Sequence, residues 1–227
     1  MNLIHIDRDP IGTFPYMNAG PRHDLNEDGS NKQIERILPV LKGLFQANTR
    51  NIDAMIIASD LQGNVDCDGQ TCLVGEKLAG YLKLLIGSEF NISSHRTGVI
   101  LAGDLYAPID RRGGHGDVRK VYTSFRDAFR WVVGVNGNHD KIGLYKLDEP
   151  RFRKEKNITI LHKETTVIDD LKISGISGII ALLNKSPRTS PSLKTKPHPA
   201  NKPDGILQAD FYTYNVLPLA VIYRGYF

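Results

Sequence analysis

Two aspartates, a glutamine, an asparagine and a histidine stand just after three apolar runs, and their types suit one chemistry. Asp60 and Gln62 follow "DAMIIAS" (53–59), Asp104 follows "GVILAG" (98–103), and Asn138, His139 and Asp140 follow "WVVGVNG" (131–137). Carboxylate, amide oxygen and imidazole are the donors taken by hard-to-borderline divalent cations, Mn²⁺, Fe and Zn²⁺ among them. A carboxylate shared by two such ions about 3.5–4 Å apart would hold water ready for in-line attack on phosphorus. Taken singly, each residue also reads as a loop Asp, a capping Asn or a surface His. The combination at successive strand ends is what argues for a site.

The elements that must position these residues follow from the pattern around them. Each short apolar run has the character of a strand buried on both faces. Between the first two runs a helix is expected over about 75–86, with Leu78, Leu82, Leu85 and Ile86 on one face; between the second and third, a helix over about 117–130 carries Val118, Val121, Tyr122, Phe125 and Phe129. Strand, loop and helix in repetition imply crossover connections and a parallel sheet. Open α/β sheets place their ligands at the carboxyl ends of such strands, where the polar residues collect. Residues 158–180 alternate as strands. Residues 1–30, rich in Gly, Pro, Asn and Asp, read as an irregular arm. Ile34, Ile37, Leu38, Leu41, Leu44 and Phe45 fall at helical spacing, with Pro39 kinking that helix or starting it.

Three motifs in this order carry a resemblance. "SDLQGN", "LAGDLY" and "GNHD", each after an apolar strand, resemble the first three motifs of the calcineurin-like metallophosphoesterase family, with "GNHD" after "VVGV" the most specific. The likeness covers about residues 53–180. It implies an α/β fold, the calcineurin-like phosphoesterase αββα sandwich, here C-terminally incomplete, and a site for two divalent ions, Mn, Fe or Zn. Asp60 and Gln62 would bind the first ion, Asp104 would bridge both, and Asn138 would bind the second. His139 would be the proton donor or stabilise the leaving alkoxide, and Asp140 would orient its imidazole. The expected substrate is a phosphomonoester or phosphodiester, hydrolysed by metal-activated water.

Two departures qualify that expectation. Position 62 is Gln where the family most often has His, which shifts metal preference toward Mn²⁺ or Mg²⁺. The family's later motifs, a lone His and then Gly-His-x-His, are absent, since only His162 and His198 follow Asp140. The first ion would keep three ligands and the second only Asp104 and Asn138, so one well-held ion and impaired turnover are expected. The alternative is a truncated or degenerate, non-catalytic domain of the same fold that binds a protein partner.

Residues 1–184 are taken as the metallophosphoesterase-like domain and 185–227 as an atypical basic, Pro-rich tail. "NKSPRTSPSLKTKPHPANKPD" has too little apolar surface to offset its ordering entropy, and disorder is expected there. The closing "ILQADFYTYNVLPLAVIYRGYF" reads either as an extra packed element or as an adventitious ending. The change of character near Ala181 is what a truncated, alternatively spliced or frame-shifted product would show.

The bulk numbers add exclusions. The 227 residues suffice for one α/β domain with a sizeable core. Residues 1–140 hold 15 Lys and Arg against 17 Asp and Glu, while 141–227 hold 14 against 8, so the net +4 comes from the C-terminal part. A nucleic-acid partner would have to use that region alone, away from the acidic motifs, and is not expected. No signal peptide or membrane span is read, and a cytoplasmic protein is expected. Cys67 and Cys72 form neither a disulfide framework nor a common zinc pattern. "NVDCDG" imitates the start of an EF-hand loop but has Gly75 where the bidentate Glu belongs. Arg111, Arg112 and His115 in "DRRGGHGD" read equally as contacts for a substrate phosphate or as a solvated Gly loop before a helix capped by Asp117.

Overall fold

The computed structural model describes residues 1–20, 24–111, 113–178 and 219–224. Its elements, in chain order, are β1 (Asn2–Ala19), β2 (Gln33–Gln46), β3 (Ala54–Ala58), β4 (Asn64–Cys67), β5 (Gln70–Leu73), α1 (Val74–Phe90), β6 (Thr97–Leu101), β7 (Gly116–Asp117) and α2 (Arg119–Ala128). Then come β8 (Trp131–Gly134), β9 (Asp140–Lys141), α3 (Asp148–Phe152), β10 (Ile158–Ile160), β11 (Glu164–Ile168), β12 (Leu171–Gly175) and β13 (Leu219–Arg224). The class is mixed α/β, with most of the regular structure in one sheet of nine strands in the order β10-β8-β6-β3-β13-β2-β1-β4-β5.

The three apolar runs become β3, β6 and β8, parallel neighbours as their pattern requires, with β10 added in parallel beyond β8. Their side chains are almost all buried on both faces, which explains why they read as continuous apolar runs. The two expected helices form as α1 and α2. The first runs on to Phe90 and stops at Asn91, whose left-handed backbone (φ 51°) ends it as C-terminal caps do. Val74, Leu78, Leu82 and Ile86 from α1 and Val121, Tyr122 and Phe125 from α2 share one core with Ile56, Val99, Leu101 and Val132 of the sheet.

A second core lies on the opposite face, where Met55, Trp131 and Val133 meet Leu161, Leu171 and Ile173. The β11–β12 hairpin supplies part of that cover. It is anchored by Asp169, which accepts hydrogen bonds from Arg130 Nε at 2.6 Å and Trp131 Nε1 at 2.8 Å. This separate two-stranded sheet is what the described residues hold opposite the helices.

Two expectations are overturned in the first 46 residues. The helical stripe over 34–45 is the strand β2, and the irregular arm contains the strand β1, paired antiparallel with it. β2 lies between β1 and β13 and from Leu38 on buries both faces: Leu38 and Val40 join the helix-side core, Leu41 and Phe45 the other. A strand buried on both sides shows no period of two, and its apolar residues fell by chance at helical steps. Pro39 precedes the β13 pairing, which begins at Leu41, so its missing N–H interrupts nothing on that side. In β1 the signal was hidden by exposure, and its register shifts around Pro10, where a proline is tolerated.

β4 and β5 form a tight hairpin turning at Asp68-Gly69, both left-handed (φ 55° and 83°), as a two-residue turn demands. The EF-hand imitation is therefore a hairpin, and a Cys67–Cys72 disulfide crosses it, so these two cysteines do pair. Within the expected tail, β13 is a central strand, antiparallel to β3 and parallel to β2. The disorder expected for the Pro-rich stretch falls outside the described residues. Among the described residues no helix is long and apolar enough to cross a membrane.

Candidate metal centre

The loops after β3, β6 and β8 meet at one edge of the sheet. Asp60 and Asp104 occupy matching places just beyond β3 and β6, both with left-handed backbone (φ 51° and 55°). Asp and Asn tolerate that region better than other side-chain-bearing residues, at a cost of roughly 1–2 kcal/mol each, and such strain collects at functional sites. The two turns are stitched together by the Asp60 N–H, which donates to the Gly103 carbonyl at 3.1 Å. The loop after β8 packs equally close. A Cβ on Gly137 would lie 2.3 Å from both the nitrogen and Oδ1 of Asp104, so only glycine lets the residue before Asn138 approach the aspartate.

Asp104 Oδ1 is buried and has no hydrogen-bond partner within the protein, the single such side-chain oxygen or nitrogen among the described residues. Partial burial, and after it the negative Asp104 alongside, push the pKa of Asp60 above the usual aspartate value, an effect partly offset by the Ser59 hydroxyl at 3.4 Å. A buried carboxylate oxygen without a donor, next to a second carboxylate, is costly unless a cation lies between them. The pair fits a divalent ion on those grounds.

The rest of the donor set is weaker. Gln62 and His139 line a cleft of about 160 Å³ together with Asn18, Tyr106 and Arg111. Asn18 holds that side in place by donating its amide to the Gln62 carbonyl at 2.8 Å. Among the described residues no group of three or more His, Cys, Asp or Glu side chains is arranged to hold a metal. The candidate set of Asp60, Gln62, Asp104 and Asn138 has only two members of those types, so it depends on amide oxygens. Such a set suits Mn²⁺ or Mg²⁺ better than Zn²⁺. His162 is exposed beyond β10, and His198 lies outside the described residues.

Asp140 does not orient His139. Its Oδ1 accepts from the backbone N–H groups of Leu105 (2.8 Å) and Tyr106 (3.0 Å), and its Oδ2 from Gly137 (2.9 Å). Burial raises the Asp140 pKa, and these three donors work against the rise. The residue is a clamp between the loops after β6 and β8. His139 is oriented instead by the Gly114 carbonyl, 2.6 Å from its Nδ1.

Residues 113–117 are therefore held by contacts that a solvated Gly loop would lack. Gly113 and Gly114 are both left-handed (φ 79° and 96°) and turn the chain back toward the site. Asp117 accepts from the Arg119 N–H at 3.0 Å but stands one residue ahead of the cap position, held by the Arg119 guanidinium and the Gly143 N–H. Of the basic residues in this loop, Arg111 reaches the cleft, His115 packs beside His139, and Arg112 lies outside the described residues. The Gly-Gly pair was the one sequence signal for the Gly114 contact; Asn18 gave none.

A more open concavity of about 420 Å³ lies over the irregular part of β1, lined in part by His5, Asp7, Arg8 and Lys42. None of the strand-end residues borders it, and His5 and Lys42 already pair with Asp7 at 2.9 and 3.3 Å. The smaller cleft is bordered by two of the strand-end residues, Gln62 and His139. The chain matches no protein-family model and no curated protein.

Proposed function

We propose that this chain is a metal-dependent phosphoesterase of the calcineurin-like kind, acting on a phosphomonoester or phosphodiester. The observation that carries the reading is the orphaned Asp104 Oδ1, buried beside Asp60 where three strand-end loops converge. In this reading Asp60, Gln62 and Asp104 hold the better-bound ion and Asn138 belongs to the weaker position. A bound divalent ion would supply Lewis-acid polarisation of the phosphoryl oxygens and activation of water.

The protein's own groups divide the remaining work. Arg111 and the Asn18 and Tyr106 side chains border the cleft in which a phosphate ester would sit. An Arg fork suits phosphate oxygens. His139 must donate at Nδ1, because its partner there, the Gly114 carbonyl, can only accept. The neutral ring therefore presents a lone pair at Nε2, and His139 can give a proton to a leaving alkoxide only from its doubly protonated form.

The test is Mn²⁺-dependent hydrolysis of a p-nitrophenyl phosphodiester, with His139→Ala and Asp104→Asn as controls. Turnover lost in both variants supports the reading. A folded protein without turnover, and without a thermal shift from any divalent ion, would overturn it. That outcome would favour the second reading, a non-catalytic domain binding a protein partner, which the scarcity of charged donors at the centre already favours.

A further inference from the structure

Two histidines clasp each other across the loops that carry the site. His139 Nδ1 meets the carbonyl of Gly114, the residue before His115, at 2.6 Å. His115 Nδ1 meets the carbonyl of Asn138, the residue before His139, at 2.8 Å. The rings stack at 5.9 Å between centroids and 27° between planes. The Gly116 N–H donates to the His139 carbonyl at 3.1 Å, and β7 and β9 continue the contact as a short parallel pair. Each ring nitrogen in the clasp faces a carbonyl, so each must carry its hydrogen on Nδ1.

We infer that His115 is a positioning residue for the phosphoesterase site: it holds the Asn138 backbone and the plane of the His139 ring so that His139 Nε2 stays directed to the cleft as the Nδ1–H tautomer. The physical need is clear from the surroundings. Asp140, the neighbouring carboxylate, accepts from three backbone N–H groups and makes no hydrogen bond to the ring. A single carbonyl contact leaves an imidazole free to rock about that bond, and a stacked ring that also grips the preceding carbonyl removes this freedom. His115 is itself exposed and does not line the cleft, so its effect passes through His139.

The kinetic consequence rests on the phosphoesterase reading; the tautomer of His139 does not. The experiment therefore has two arms, run on the full chain with His115→Ala and His115→Asn, the latter because an Asn amide can replace the Nδ1–H donor. Long-range ¹H–¹⁵N spectra of the metal-free protein should show His139 fixed as the Nδ1–H tautomer in the wild type and in His115→Asn, and a mixture in His115→Ala. Assayed with Mn²⁺ and the p-nitrophenyl diester, His115→Ala should lose roughly tenfold in kcat with KM little changed, as misorientation of a reacting group does, and His115→Asn should recover most of it. An unchanged His139 spectrum in a folded His115→Ala protein would overturn the inference. So would a loss confined to KM. Spectra that respond as expected, in a wild-type protein with neither turnover nor a thermal shift from any divalent ion, would uphold the clasp and reject the phosphoesterase reading instead.

Discussion

Asp104 carries an unpaired buried oxygen next to a second carboxylate, and that combination makes opposite demands with and without a cation. In metal-free protein, Asp104→Asn removes a charge that repels Asp60 and leaves a neutral amide in its place. We expect the variant to melt higher, by about 2–4 °C for each kcal/mol of relief in a chain of this size. With Mn²⁺ present the order should reverse, because only the wild type gains from ligand binding. Differential scanning fluorimetry with and without the ion checks both halves. A variant that melts lower in both conditions would mean Asp104 is a structural residue. The places of Asp60 and Asp104 just beyond β3 and β6 were legible from sequence because each follows an apolar strand, whereas the partners of their neighbours were not. Asp140 was expected to orient His139 on the strength of the family resemblance. Adjacent residues in a turn rarely face each other, and its carboxylate is taken by three N–H groups from two loops.

At the scale of elements, the parallel strands and the two helices could be read because their burial leaves a simple pattern: all-apolar for β3, β6 and β8, and a stripe for α1 and α2. The ribbon of β1 and β2 was missed for two physical reasons. β1 is exposed along most of its length, and β2 is open up to Ile37 and buried on both faces from Leu38 on, so neither alternates throughout. The β11–β12 hairpin, expected from its alternation, buries Leu171 and Ile173 in the second core and is tied to the sheet by Asp169. The Arg130 hydrogen bond, with that from Trp131, holds the Asp169 pKa below the usual aspartate value of 3.8. A depressed carboxylate contributes stability that is complete above its unfolded value and is lost as pH falls through the lower, folded one. The unfolding midpoint should therefore drop more steeply below about pH 4 in the wild type than in Asp169→Asn. The substitution keeps the left-handed turn at position 169 (φ 48°), which Asn also tolerates, and removes the titrating charge together with one of the two oxygens that accept from Arg130. Parallel pH profiles for the two proteins would dismiss the clamp.

For the whole molecule, the decisive element is β13. It joins the parallel half of the sheet, through β3, to the antiparallel half, through β2. Leu219, Val221 and Ile222 are almost fully buried, the first two in the helix-side core and Ile222 in the opposite one. Ile222→Ala should destabilise the protein by about 2–5 kcal/mol, read as a lower urea midpoint. If β13 were peripheral, the loss would stay below about 1 kcal/mol, as surface substitutions do. This strand was foreseen only as one of two readings of an apolar segment without a period. The reason is that a six-residue strand between two others announces itself by burial alone.

The place of β13 also sets an order of events. It lies between strands that end at residues 46 and 58, yet it follows every other described strand in the chain. On a ribosome the β1–β2 ribbon and the β3-to-β10 layer would emerge with their facing edges unpaired until this segment appeared. Closing the sheet then needs contacts that span more than 160 residues, the kind that slow folding. Through that interval two open edges face each other with nothing between them, and a nascent chain in that state is the form most in need of a chaperone.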